Sequence, residues 1–124
     1  MAYLCDAYNI NTDCVNTGEV KFSNKTLITS FVEICTAIGF HYNGINFLAH
    51  VDGMEPNMDS KVINELKKIN PKKIDKIHVW KGYKCENNCP SFQIVQNIVN
   101  QLNGKKVYHI YNENDTITID SSLK

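Results

Sequence analysis

No apolar run in the 124 residues approaches the roughly 20 that a bilayer span needs, which argues against a membrane-embedded role. Charge of one sign is not in excess either. Lys plus Arg and Asp plus Glu number 13 each, so the formal net charge is zero. A nucleic-acid or membrane-surface partner would want a basic surplus. The first residues, Met1 to Asp6, lack the basic n-region and long apolar h-region of an export signal. The expectation is therefore a cytoplasmic protein, in a host cytosol if the source is a virus or an intracellular pathogen. Its five cysteines are then expected to be reduced, and an odd count leaves at least one unpaired in any case. Repeats, low-complexity tracts and an interdomain linker are also missing. What is present, 43% hydrophobic and 21% charged residues, suits one folded domain over 1–124 with a modest core. Residues 1–25 carry the least pattern.

The most informative stretch runs from Thr29 to Gly53. It reads as two strands joined by Asn43-Gly44. Asn-Gly between apolar runs is a strong hairpin signal, because a type I′ turn needs two residues at positive φ. A two-residue loop fixes the register: Tyr42 opposite Ile45, Ala37 opposite His50, Cys35 opposite Asp52. Side chains alternate faces along a strand. Cys35, Ala37, Gly39 and His41 then share a face with Asn46, Leu48, His50 and Asp52. Cys35 and His50 become diagonal neighbours, with Cα atoms roughly 7–8 Å apart. Ala37 and Gly39 are expected to leave open space beside them. Thr29, six residues before Cys35, has the same parity if the strand runs straight back.

Elsewhere the elements are simpler. Tyr3-Leu4-Cys5, Tyr8-Asn9-Ile10 and Glu19 to Phe22 suggest short strands, and Asn11-Thr12-Asp13 a turn. Asp59 or Ser60 caps a helix carrying Val62, Ile63, Leu66 and Ile69, which ends before Pro71. Ile77 to Trp80 forms a strand ending at Gly82, and Tyr83 to Cys89 a loop. Pro90 or Ser91 opens a second helix with Phe92, Val95, Ile98, Val99 and Leu102 as its stripe, closed by Gly104. Lys106 to Tyr111 and Thr116 to Asp120 suggest a last hairpin. The fold class expected is α/β (α+β): a layered sandwich with a mixed β-sheet core and two covering helices.

A thiol beside an imidazole is the minimum for nucleophilic catalysis, since the ring can take the thiol proton and later return it to a leaving amine. Thr29 or Asp52 could orient the ring. The same stretch resembles the core of the CheD-like deamidases and of protein N-terminal asparagine amidohydrolase. In those proteins a Thr precedes a Cys at the start of a strand, a hairpin follows, and a His ends the return strand. Thr29, Cys35 and His50 match those roles. Leu48-Ala49-His50-Val51-Asp52-Gly53 is similar to the His-x-Asp-Gly segment of the asparagine amidohydrolases. Weaker likeness continues through Ile77-His78-Val79-Trp80-Lys81-Gly82 and Phe92 to Leu102. Departures stand beside it: Glu33-Ile34 replaces the usual Gly-Ser before the Cys, and Lys81-Gly82 supplies one glycine where two are common. The Cys-to-His spacing is also slightly short.

The resemblance implies a CheD-like fold and hydrolysis of a Gln or Asn carboxamide in a protein substrate, an N-terminal Asn among the options, through a thioester. It implies Cys35 as nucleophile, His50 as base and Thr29 as orienting group, with no cofactor and no metal. Asp52, Gly53, Asn46 and His41 are the expected substrate contacts. Plainer roles compete. Asp52-Gly53 suits an Asx turn. Cys5 and Cys14 suit packing, and His78 and His109 suit ordinary strand positions. Cys85 and Cys89 are half a zinc site or a loop disulfide. Lys67, Lys68, Lys72, Lys73 and Lys76 suit a solvated helix end. The rival functions are a catalytically inactive interaction module of the same fold, and a redox or zinc-binding protein using Cys85 and Cys89.

Overall fold

A computed structural model describes residues 10–69, 74, 76–102, 107–111 and 115–123, with backbone alone at 107–109. The hairpin forms as its turn dictates. Asn43 and Gly44 take φ of 53° and 78°, the paired positive values that a type I′ turn requires. Strands β4 (Thr36–Tyr42) and β5 (Ile45–Val51) then pair with Tyr42 opposite Ile45 and Ala37 opposite His50, as the sequence predicts.

Around this hairpin a five-stranded sheet assembles in the order β2-β5-β4-β6-β7, with β2 at Val20–Ser23, β6 at Lys76–Lys81 and β7 at Val107–Tyr111. One face of β4 and β5 carries Ile38, Phe40, Phe47, Ala49 and Val51, all buried. Helices α1 (Met58–Leu66) and α2 (Pro90–Gln101) cover it with Met58, Val62, Leu66, Phe92, Val95, Ile98 and Val99. The other face is covered by a second sheet, β1 (Thr12–Cys14), β3 (Thr26–Thr29) and β8 (Ile117–Ile119), in the order β1-β3-β8. Leu27, Ile117 and Ile119 meet Ala37, Leu48 and Trp80 there. Both sheets are mixed, because β1 pairs parallel to β3 and β6 parallel to β7. The architecture is an α+β sandwich, with two helices on one face of the larger sheet and a small sheet on the other.

Several expectations change. The segment read as a turn at Asn11-Thr12-Asp13 contributes to β1, because β3 supplies a pairing edge for it. The last two strands do not form a hairpin: β7 joins β6, and β8 crosses to β3 in the other sheet. Helix α1 starts two residues sooner than the earlier of the expected caps, Asp59, would place it, behind Asn57, which sits in the left-handed region and makes no side-chain cap. The open space expected beside Ala37 and Gly39 is filled: a Cβ at Gly39 would stand 3.0 Å from Ile119 Cδ1 and 2.7 Å from Phe47 O. The expectations at Tyr3 to Cys5, Pro71, Lys72, Lys73 and Gly104 lie outside the described residues, as does the side chain of His109. No helix among the described residues is long and apolar enough to cross a membrane.

Candidate active site

Thr29 reaches His50 by a route the sequence did not suggest. The strand does not run straight back from Cys35. Residues 30–35 bend, with Phe31 at φ 64°, and carry the chain from one sheet to the other. Thr29 ends β3 in the small sheet and faces His50 of β5 across the interlayer space. Its Oγ1 lies 2.7 Å from His50 Nδ1 and 2.5 Å from the Val15 carbonyl oxygen. A carbonyl can only accept, so the hydroxyl proton goes to Val15. Oγ1 must then accept from His50, which puts the ring proton on Nδ1. Both residues are 0% exposed. That leaves His50 Nε2 as a bare lone pair: it is buried and has no hydrogen-bond partner among the described residues.

Cys35 stands one step beyond the last ladder pair, Thr36 opposite Val51, next to Asp52. It is the free cysteine among the described residues and is buried at 7% exposure. Burial, helped by the Asp52 and Glu33 carboxylates, pushes its thiol up to about 11. Burial likewise pushes His50 down to about 4, against the pull of Asp52. The resting pair is therefore a neutral thiol and a neutral imidazole, with no hydrogen bond closed between them. This differs from a preformed thiolate–imidazolium pair, which would need solvent or a cation to support its charges.

The segment 33–35 is held from two sides. Gly82 N–H donates to Cys35 O and Lys84 N–H to Glu33 O, each at 2.9 Å. Ser91 Oγ donates to Ile34 O at 2.8 Å and lies 2.9 Å from Thr36 Oγ1. Two glycines permit this closeness. A Cβ at Gly82 would fall 2.0 Å from Glu33 O, and one at Gly53 would fall 2.9 Å from Ser91 N. A pocket of about 240 Å³ opens at the junction, lined by residues including Ile34, Asp52, Gly53, Met54, Lys84 and Ser91. Cys35 itself does not line it, but its chain neighbour Ile34 and the facing Asp52 do.

The other expected substrate contacts divide. Asp52 and Gly53 line the pocket, and Asp52 Oδ1 accepts Met54 N–H at 3.0 Å, so the Asx turn is present as well. His41 and Asn46 lie at the turn end of the hairpin, six residues along β4 from Cys35. His41 Nδ1–H donates to Asn46 Oδ1 at 2.6 Å, and Asn46 Nδ2 donates to Lys25 O at 2.7 Å. The structure does not bring these two to the Cys35 end. Sequence reasoning missed Val15, Thr36 and Ser91. Val15 acts through its carbonyl and leaves no signal in residue type. Ser91 was visible only as a helix starter, since its partners lie 55 and 57 positions away.

Cys85 and Cys89 are joined in a disulfide with Cα atoms 5.4 Å apart, and Cys14 is disulfide-bonded too. These three correct the expectation of reduced thiols, and the first pair takes the disulfide alternative over the zinc half-site. Compared with known proteins, the chain matches no family model and no curated sequence.

Proposed function

We propose that this protein is a cysteine-dependent amidohydrolase that deamidates a Gln or Asn carboxamide of a protein substrate. The observation that carries the proposal is the buried His50 ring, fixed by Thr29 in the tautomer whose Nε2 has no partner among the described residues, on the same hairpin whose ladder ends one residue short of the free Cys35. A buried polar atom without a partner is costly in a fold. An incoming thiol proton would satisfy it.

The neutral resting pair sets how the reaction runs. His50 Nε2 takes the Cys35 proton as the sulfur attacks the carboxamide carbon, so proton transfer belongs to the attack itself. The ring then gives that proton to the departing ammonia. A water attacks the thioester with His50 again as base, releasing the carboxylate and restoring the thiol. Thr29 orients the ring throughout. The exposed apolar side chains of Ile34 and Met54 at the pocket, 64% and 83% exposed, favour a polypeptide over a small polar amide.

The test is mass spectrometry of candidate protein substrates for gains of about 1 Da at Gln or Asn, with Cys35→Ala as the control. Gains made by the wild type and lost in Cys35→Ala support the reading; gains equal in both remove Cys35 as nucleophile. A cytoplasmic setting belongs to the same proposal, and the Cys85–Cys89 disulfide is the observation against it, since cytosolic thiol pools reduce such pairs. The second reading, an inactive interaction module, is favoured by the burial of Thr29 and His50 and by the raised Cys35 thiol. Mild iodoacetamide labelling addresses it: a Cys35 that never labels in the folded protein supports the module.

A further inference from the structure

We propose that the Cys85–Cys89 disulfide is a redox latch on the segment that carries Cys35, opened by a dithiol and closed by exchange with an external disulfide. The loop this bond closes lies between the two grips on residues 33–35. On its leading side, Gly82 and Lys84 donate their N–H groups to Cys35 O and Glu33 O, and Cys85 N–H turns back to Gly82 O at 2.8 Å. On its trailing side, Cys89 is the N-cap of α2, and Ser91 in the first turn donates to Ile34 O. Cys89 Sγ itself lies 3.6 Å from Ile34 O and 3.3 Å from Ser91 Oγ. A single covalent bond therefore ties the turn after β6, which holds one side of the segment, to the start of the helix that holds the other. The same residues wall the pocket: Lys84 from the first grip, and Cys89, Pro90 and Ser91 from the second.

The two sulfurs differ in access. Cys85 is buried in the core beneath α2, whereas Cys89 is half-buried at the helix start. A thiolate of an external dithiol attacks Cys89 Sγ, the bond to Cys85 breaks, and the Cys85 sulfur leaves with the electron pair and takes a proton. The second thiol of the reductant attacks its own sulfur in the mixed disulfide and releases Cys89 as a thiol. Two electrons and two protons pass from the dithiol, which ends as a disulfide. Closure runs through an external disulfide: the Cys89 thiolate, formed readily at a helix N-terminus, attacks one of its sulfurs, and Cys85 then attacks Cys89 Sγ in the mixed disulfide, so that two electrons and two protons leave with the external pair as a dithiol. With the bond open, α2's first turn is no longer tied to residues 82–85, and the pocket mouth beside Cys35 can widen.

This inference shares Cys35 with the deamidase reading but needs no amide hydrolysis, and its experiment measures none. The rate of Cys35 alkylation by iodoacetamide is followed by peptide mass spectrometry at one pH in two proteins, the oxidised wild type and Cys85→Ser/Cys89→Ser. The double variant leaves the Cys14 disulfide alone, which a dithiol would not. Opening is expected to speed labelling of Cys35 by about tenfold or more and to lower hydrogen-exchange protection at 33–35 and 82–84, with α1 and β5 unchanged. Cys85→Ala/Cys89→Ala serves as a second route to the open form if the serine variant folds poorly, since it puts no hydroxyl in the core position of Cys85. A labelling rate within about twofold of the oxidised protein overturns the latch. So does loss of the whole fold by both routes, because the bond is then a staple of the domain. Faster labelling in a protein that makes no deamidated product keeps the latch and removes the deamidase.

Discussion

Thr29 has a single hydroxyl proton, and Val15 takes it; the tautomer of His50 follows from that one fact. Thr29→Val keeps the shape but strands a buried ring N–H and a carbonyl. The expected loss is about 1–3 kcal/mol in denaturant unfolding, with Thr29→Ser close to wild type. Nitrogen NMR of the ring should find the proton on Nδ1 in the wild type and in Thr29→Ser, and spread over both nitrogens in Thr29→Val. Because His50 is pushed down to about 4, it remains a neutral base through the physiological range. Deamidation should therefore hold a plateau from roughly pH 5.5 to 8 and fall as His50 protonates. A rate that climbs tenfold per unit across that window would mean that pre-ionised thiolate attacks without His50. At this scale the sequence was legible where chemistry depends on residue type. Thr29 and His50 were expected together and are hydrogen-bonded, while the Val15 carbonyl and the Ser91 bridge depend on distant backbone and could not be read.

Among the elements, the β4–β5 hairpin was the most readable because its turn sets its own register. Gly44 holds φ 78° with open space around it, so Gly44→Ala meets backbone strain alone and should cost about 1–2 kcal/mol. Gly82 differs. Its missing Cβ makes room for the backbone of residues 33–35, and Gly82→Ala has carbonyl oxygens to displace rather than a flexible side chain. A loss on the order of 3 kcal/mol is expected, together with faster alkylation of Cys35 as that segment shifts. The pairings that sequence reasoning missed, β1 with β3 and β3 with β8, have no tight turn to announce them. Leu27 lies opposite Ile119, and nothing local at either end specifies that match. The last hairpin was misread for the same reason, since a polar turn between two apolar runs does not say that both runs enter one sheet.

For the whole molecule, burial of a neutral histidine makes stability depend on pH. The unfolded chain binds the His50 proton near the ordinary value of 6.5, while the folded chain resists it down to about 4. Between those values the unfolded state holds more protons, so stability is complete above pH 6.5 and declines as pH falls. The contribution of this one group is on the order of 3 kcal/mol at the acid end. Urea titrations at pH 7 and pH 4.5 should show that decline in the wild type and a shallower one in His50→Gln. The layered plan itself was legible from two amphipathic helices and a run of strands, but its second sheet was not. That second sheet gives the His50 ring a further property. Its orienting hydroxyl hangs from one layer and the ring from the other, so the ring's proton reports how firmly the layers are seated. A substitution far from any reacting atom, such as Ile119→Ala over Gly39, would then be read at the imidazole: as the interlayer gap loosens, the base loses its aim before the fold is lost.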